Sequence, residues 1–191
     1  MKKPIVLLGL VMLLGAATCA PAAERSINKE IVLDATVEQV WQAWTTREGI
    51  VSFFAPDANV EASAGGPFHI YIDPLGAPGM KGADEMRYMA IQPMRMLSFD
   101  WNAPPSLPEV RKQRTFVVLR FEPVGERQAR LTLTHIGWGE GGEWDKAYAY
   151  FDRAWGNVLG NLKKRFETGP IDWTDWMTQL RKMHEQAEAK K

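Results

Sequence analysis

The stretch Glu143–Phe166, EWDKAYAYFDRAWGNVLGNLKKRF, decides the fold because it is the clearest helix in the chain. Its large apolar residues recur at helical spacing; they are Trp144, Tyr148, Phe151, Trp155, Val158, Leu159, Leu162 and Phe166. At 1.5 Å per residue such a helix is about 37 Å long, and Gly169-Pro170 ends it. A long apolar helix needs a cover, and a sheet with one hydrophobic face provides it.

The preceding chain is strand-like. Arg25–Leu33 predicts a first strand, and Asn59–Trp138 contains further short alternating runs with short connections, which predict an antiparallel meander. Two short helices are predicted between these regions. Thr36 and Gln39 form a capping-box pattern for the first helix, and the second is expected over Arg47–Phe54.

The predicted fold class is therefore α+β. It is a curved antiparallel sheet of about seven strands wrapped around a long C-terminal helix, with two short helices after the first strand. A cavity can remain between the helix and the sheet. Asp84–Ile91 is expected as one strand, and Asn102–Glu109, with three prolines, as a loop. We expect a domain over residues 24–169 and a helical tail with a frayed end over residues 170–191.

Residues 1–22 have the three-part pattern of a secretory signal peptide. Lys2 and Lys3 precede an apolar run of 13 residues, Ile5–Ala17, which is short for a membrane span of ~20 residues. Small residues then favour cleavage after Ala22, with Ala23 as the alternative. We therefore expect a periplasmic or secreted protein that meets the membrane only through its signal peptide.

Cys19 suggests an alternative, a lipoprotein anchor. A lipobox usually has Leu three residues before its Cys and Gly or Ala directly before it, whereas this chain has Ala16 and Thr18. Lipid attachment is therefore the less favoured hypothesis. Cleavage after Ala22 would leave a mature chain with no Cys, so no disulfide and no thiol chemistry are expected.

Composition limits the function classes. The formal net charge of zero argues against a nucleic-acid-binding surface. No nucleophile elbow, phosphate loop or dinucleotide fingerprint occurs, so no cofactor is expected. His69, His135 and His184 are far apart in sequence, so no metal site is expected either. Eight Trp, eight Phe and nine Met can fill a core or bind an apolar ligand.

His135 is the most interesting polar residue. Alternation in LTLTH puts it on the same strand face as Leu131 and Leu133, towards the long helix. There an imidazole can bind a ligand oxygen or act as a general acid or base. The alternative is a partly buried histidine bonded to a backbone carbonyl near Gly137. His69 is expected to face solvent.

Trp101 and Trp138 each close a strand beside a loop, where the mouth of a cavity would lie. Glu85 and Arg87 share one strand face, which is either a buried polar anchor or, more simply, a solvated outer face. The predicted ligand-binding residues are His135, Trp101, Trp138, Phe99, Leu133, Trp155, Leu159, Trp41 and Phe54.

Three stretches carry a resemblance to a known superfamily. They are VEQVWQAWTTREGIVSFFAPDANVEASAGGPF (37–68), YMAIQPMRMLSFDW (88–101) and ARLTLTHIGWGEGGEWDKAYAYFDRAWGNVLGNLKKRF (129–166). These resemble the SRPBCC (START-like) superfamily, in the branch of the activator of heat-shock protein 90 ATPase homologues. The resemblance implies the helix-grip fold over residues 26–166. Its members include lipid-transfer, cyclase and co-chaperone domains, and an export signal argues against a cytosolic co-chaperone role.

Three functions follow as hypotheses. The first is non-catalytic binding of a small apolar or amphipathic ligand in the cavity. The second is a cyclase or hydrolase type of enzyme that uses His135 as acid or base. The third is a protein-interaction module in which Trp173 and Trp176 form the contact or pack the tail over the domain. A monomer or a weak homodimer is expected.

Overall fold

The structure, a computed structural model, describes residues 24–190, so the predicted signal peptide, Cys19 and the cleavage site lie outside it. In chain order its elements are β1 (Ile27–Leu33), α1 (Val37–Thr45), α2 (Arg47–Val51), β2 (Asp57–Val60), β3 (Phe68–Tyr71), β4 (Gly82–Ala83), β5 (Tyr88–Gln92), β6 (Met96–Trp101), α3 (Pro108–Arg111), β7 (Thr115–Pro123), β8 (Ala129–Ile136), α4 (Gly142–Thr168) and α5 (Thr174–Glu188).

The strands form two antiparallel sheets that share one curved layer. The larger has the order β1-β8-β7-β6-β5 and the smaller the order β2-β3-β4. Backbone bonds join the two sheets: the Phe68 N–H donates to the Met86 carbonyl at 2.7 Å, and the Tyr88 N–H donates to the Gly66 carbonyl at 3.0 Å. The predicted α+β class and helix-grip arrangement are confirmed, with the strands divided between these two sheets.

One predicted strand is shorter than expected. Asp84–Ile91 was expected to be continuous, but β5 begins only at Tyr88. The backbone of Glu85 has a φ of 63°, in the left-handed region, and this interrupts strand pairing. Alternation survives the break, because Met86 and Tyr88 are buried while Glu85 and Arg87 are exposed. Glu85 and Arg87 therefore form an outer face and not a buried anchor.

Local signals explain the helix ends. The predicted capping box of α1 is present, since the Thr36 side chain accepts from the Gln39 N–H and the Gln39 side chain accepts from the Thr36 N–H. Helix α2 ends at Val51, before the expected Phe54. The predicted loop before β7 contains a short helix, α3, that starts at Pro108, because the fixed φ of proline suits the first helical position.

A buried tyrosine ties α1 to the sheet. The Tyr88 hydroxyl donates to the Trp44 carbonyl at 2.8 Å. This carbonyl is among the last four of α1, which lack partners within their own helix. We predict that Tyr88→Phe lowers the free energy of unfolding by about 1–2 kcal/mol, because the substitution leaves a buried carbonyl unpaired.

The measurement is urea unfolding at equilibrium, with Tyr150→Phe as the control. Tyr150 is exposed, and its hydroxyl makes no hydrogen bond with residues 24–190. The control is expected to stay within about 0.5 kcal/mol of the unmodified chain. Equal unfolding midpoints for both variants would contradict a stabilising role for the Tyr88 hydroxyl.

Candidate functional site

His135 is buried between α4 and the sheet, and both its ring nitrogens have protein partners. The Trp155 indole N–H donates to Nδ1 at 2.8 Å, and Nε2 lies 2.7 Å from Thr115 Oγ1. Because an indole nitrogen can only donate, Nε2 carries the ring proton and donates to the hydroxyl. The Thr115 hydroxyl in turn donates to the Trp101 carbonyl at 3.2 Å.

Aromatic rings surround this imidazole. The ring centroid of His135 lies 4.3 Å from that of Trp138, 5.3 Å from Phe151 and 5.9 Å from Trp155. Burial lowers the pKa of His135 to about 3, so the ring is neutral at ordinary pH. Its partners are side chains and not the carbonyl expected near Gly137. His135 is therefore a buried connector between α4 and the sheet.

Four of the predicted ligand-binding residues form one aromatic cluster. Trp155 and Trp101 have centroids 5.4 Å apart, and Phe54 lies 5.9 Å from each of them. Phe99 lies 5.5 Å from Trp101 and 6.5 Å from Trp155. These contacting rings occupy the space between α4 and the sheet.

The other predicted ligand-binding residues are buried in the core or cover His135. Leu133, Leu159 and Trp41 are buried in the core. Trp138 is half-buried, and its indole N–H donates to the His135 carbonyl at 2.9 Å, so it covers the imidazole. Of the predicted set, Trp101 is the residue that also lines an apolar groove beside α5.

An apolar groove lies outside the cluster, where α5 crosses the domain. We call it the α5 groove. It has a volume of about 310 Å³ and is bounded by α5, the β3–β4 loop, the segment after β6 and α4. Its lining residues are Ile72, Asp73, Met80, Lys81, Gly82, Ala83, Trp101, Asn102, Ala103, Pro104, Pro105, Tyr150, Phe151, Trp176, Leu180 and Met183.

Helix α5 is seated on the domain by specific contacts. The Trp173 indole donates to the Val51 carbonyl at 2.6 Å, and the Trp176 indole donates to the Ile72 carbonyl at 2.9 Å. His184 Nε2 lies 2.7 Å from Asp73 Oδ2. The tail is thus packed over the domain, as one of the sequence hypotheses allowed. His184 contacts the domain although it lies in a segment that was expected to be frayed.

Of the groove residues on α5, Trp176 was predicted to form a contact or to pack the tail over the domain, whereas Leu180 and Met183 had no predicted role. Trp176, Leu180 and Met183 follow i, i+4, i+7 spacing, which places them on one helix face. This spacing predicts an apolar helix face but does not identify the surface against which that face packs. Met80 and Tyr150 had no distinguishing pattern, because one lies in an irregular loop and the other beside the buried face of α4.

Two further observations limit the site. Within residues 24–190, no group of three or more His, Cys, Asp or Glu side chains is placed to hold a metal ion. Over the same residues, no helix combines the length and the apolar character required to cross a membrane.

A curved antiparallel layer gripping one long helix, with two short helices after the first strand, defines a helix-grip domain. The family model for "Activator of Hsp90 ATPase homolog 1-like protein" matches residues 34–167, so this chain belongs to that family. The family fold is that of a ligand-binding or interaction domain. A comparison with curated proteins gives no match.

Solved structures show the same fold. Protein MLL2253 from Mesorhizobium loti is 20% identical, with a TM-score of 0.63 over 77% of this chain and 100% of that one. The Aha1 dimer from Colwellia psychrerythraea is 22% identical, with a TM-score of 0.58 over 76% and 98%. CalU16 from Micromonospora echinospora is 21% identical, with a TM-score of 0.57 over 87% and 88%. The predicted superfamily and branch are confirmed.

The buried imidazole predicts a pH dependence of stability. The pKa of His135 is about 3 in the folded chain and near 6.5 when unfolded, so only the unfolded chain takes up this proton between those values. The contribution of His135 is therefore complete above about pH 6.5 and decreases as the pH falls towards 3. We predict that His135→Gln reduces the slope of unfolding free energy against pH by about 1 kcal/mol per unit near pH 5.

Urea unfolding at a series of pH values measures this slope. His69→Gln is the control, because His69 is only partly buried and its Nδ1 lies 3.3 Å from the Tyr71 hydroxyl. The control is expected to retain most of the pH dependence of the unmodified chain. A slope in His135→Gln that equals that of the unmodified chain would refute the buried, neutral state.

Proposed function

We propose that this protein is an exported, non-catalytic domain that binds a small apolar or amphipathic molecule in the α5 groove. The observation that carries the proposal is the groove itself, which is predominantly apolar and lies at the edge of the aromatic cluster. Small-molecule sites are concave, mostly apolar and about 300–1,000 Å³ in volume. A volume of 310 Å³ suits a small ligand and not a long lipid.

Exposed apolar side chains around the groove support binding. Ile72, Met80, Tyr150, Trp176 and Met183 all line it and are among the exposed large hydrophobic residues of the described chain. Apolar patches of this kind typically mark ligand or protein contacts. The two methionines suit a ligand of irregular shape, because their side chains are flexible and polarisable.

The state of His135 supports a non-catalytic role over the cyclase or hydrolase hypothesis. A general acid or base needs a nitrogen within hydrogen-bond reach of the substrate and a pKa near the working pH. In His135 both nitrogens are bonded to the protein, and burial lowers the pKa to about 3. We therefore place ligand binding in the α5 groove and not beside this imidazole.

Pyrene, a fluorescent hydrocarbon, is a suitable probe for the groove. We predict that Met80→Lys weakens pyrene binding by about tenfold or more, because an ammonium group placed at an apolar wall must lose hydration when the ligand binds. Met80 is 53% exposed in a loop, so the substitution is expected to leave folding intact. Fluorescence titration measures the affinity.

The matched control is Met89→Lys. Met89 is 51% exposed, lies on β5 and does not line the groove. Its variant is expected to bind pyrene like the unmodified chain. Equal weakening by both substitutions, or no pyrene binding at all, would refute the groove as the site. A change of molar mass in solution caused by Met80→Lys alone would instead identify the groove as an interface between copies.

Export is the second part of the proposal and rests on the sequence pattern of residues 1–22. We predict that the full chain, expressed in a Gram-negative bacterium, is found in the periplasm or medium with Ala23 or Glu24 as its first residue. Mass spectrometry of the intact protein identifies that residue. As a control, Ala20→Arg with Ala22→Arg is expected to block cleavage after Ala22, because signal peptidase requires small residues at these two positions. A cytosolic protein that retains Met1, or a lipid on Cys19, would contradict the proposed export route.

A further inference from the structure

Asn102 is a buried polar residue without a hydrogen-bond partner for its side chain. It follows β6 directly and is 7% exposed. Its carboxamide makes no hydrogen bond with any residue in the described range 24–190, whereas the neighbouring Arg111 guanidinium donates to the Ala103 carbonyl. The buried side-chain nitrogen and oxygen atoms that lack a partner within residues 24–190 belong to Trp44 and Trp101, so the carboxamide of Asn102 retains access to solvent and is free to bond a ligand.

The location of Asn102 determines where such a ligand would bind. Asn102 lines the α5 groove and also a second, polar depression of about 360 Å³ on its other side. The second depression is lined by Gly79, Asp84, Glu85, Asn102, Arg111, Lys112 and Arg114. Asn102 thus stands at the junction of an apolar groove and a polar one, which is the arrangement that an amphipathic molecule requires.

The preceding residue adds an independent observation. Trp101 also lines the α5 groove, is 5% exposed, and its indole N–H finds no acceptor in the described part of the chain. Trp44 has an unpaired indole too, but it does not line the groove. At Trp101 and Asn102, two consecutive residues with unpaired polar groups meet the same groove.

The charges around the groove favour an uncharged ligand. Its lining contains one acid, Asp73, and one base, Lys81. Asp73 is paired with His184 at 2.7 Å, and the Lys81 ammonium lies 5.4 Å from the centroid of the Tyr71 ring. Neither sign dominates, so the lining provides no strong field for an anionic or a cationic head.

One guanidinium group that lines the polar depression with Asn102, that of Arg111, already has protein partners. Arg111 donates to the carbonyls of Gly79, Gly82 and Ala103, and it lies 3.5 Å from Asp84. Both side chains of this pair are largely buried. A carboxylate ligand would therefore have to compete with an existing buried ion pair for this cation.

We infer that the α5 groove selects neutral amphiphiles, whose apolar body lies against Met80, Tyr150 and Met183 and whose carbonyl, amide or hydroxyl head bonds to Asn102. This inference rests on the proposed function and adds the class of ligand. A carboxamide can both donate and accept, so Asn102 suits an uncharged polar head. Asn102 is a specificity-determining residue in this arrangement.

Three probes test whether the groove prefers a neutral head, an anionic head or no polar head. They are octanamide, octanoate and pyrene, respectively. The unmodified full-length mature chain is expected to bind octanamide more tightly than octanoate in calorimetric titrations. Asn102→Leu is expected to weaken octanamide binding about threefold to tenfold, the range for one neutral hydrogen bond, while pyrene affinity is unchanged or higher.

The matched control is Asn157→Leu, since Asn157 is exposed on α4 and does not line the groove. Asn102→Ala serves as a second variant if the leucine variant unfolds. Pyrene binding with an unchanged octanamide affinity in Asn102→Leu or Asn102→Ala would overturn this inference and leave the proposed function standing. Tighter binding of octanoate than octanamide would also overturn it. Failure of pyrene to bind the unmodified chain would refute the proposed function and, with it, this inference.

Discussion

The hydrogen bond from the Trp155 indole to His135 Nδ1, 2.8 Å long and fully buried, is the interaction on which the rest of the fold depends. It fixes α4 against β8, and the chain of bonds continues through Thr115 to the Trp101 carbonyl on β6. Each of these polar groups is satisfied only while the others stay in place, so loss of one would leave its partners unpaired in a low-dielectric core. The network therefore specifies one position of the helix on the sheet.

This packing limits the space that is left for a ligand between α4 and the sheet. The rings of Phe54, Phe99, Trp101 and Trp155 pack at centroid distances of 5.4–6.5 Å and occupy the space that a ligand would need. Protein interiors are packed to crystal-like density, so opening that space would cost several core contacts. Apolar surface remains accessible instead at the edge of the cluster, beneath α5. The filled core and the external groove are two results of the same packing.

The sequence could predict those elements whose signal is local. Helix α4 and the inward face of β8 followed from spacing alone, because apolar periods of 3.6 and 2 are written into neighbouring residues. The partners of His135 could not be predicted, since Trp155 and Thr115 each lie 20 residues away and spacing does not show whether a large ring fills a core or lines a pocket. The position of α5 on the domain could not be predicted either, because it depends on contacts between residues still farther apart in sequence. His184 and Asp73, for example, are 111 residues apart.

Two walls of the groove come from parts of the chain about which the family match says least. The match to the family ends at residue 167, whereas Trp176, Leu180 and Met183 come from α5 beyond it. The opposite wall, with Met80, belongs to an irregular loop, and loops vary more among relatives than the elements they join. The shared fold thus accounts for the rigid support, and α5 with its facing loop completes the groove on that support. The shape of the groove therefore depends on the tail and the loop, while the interior of the domain holds α4 in place.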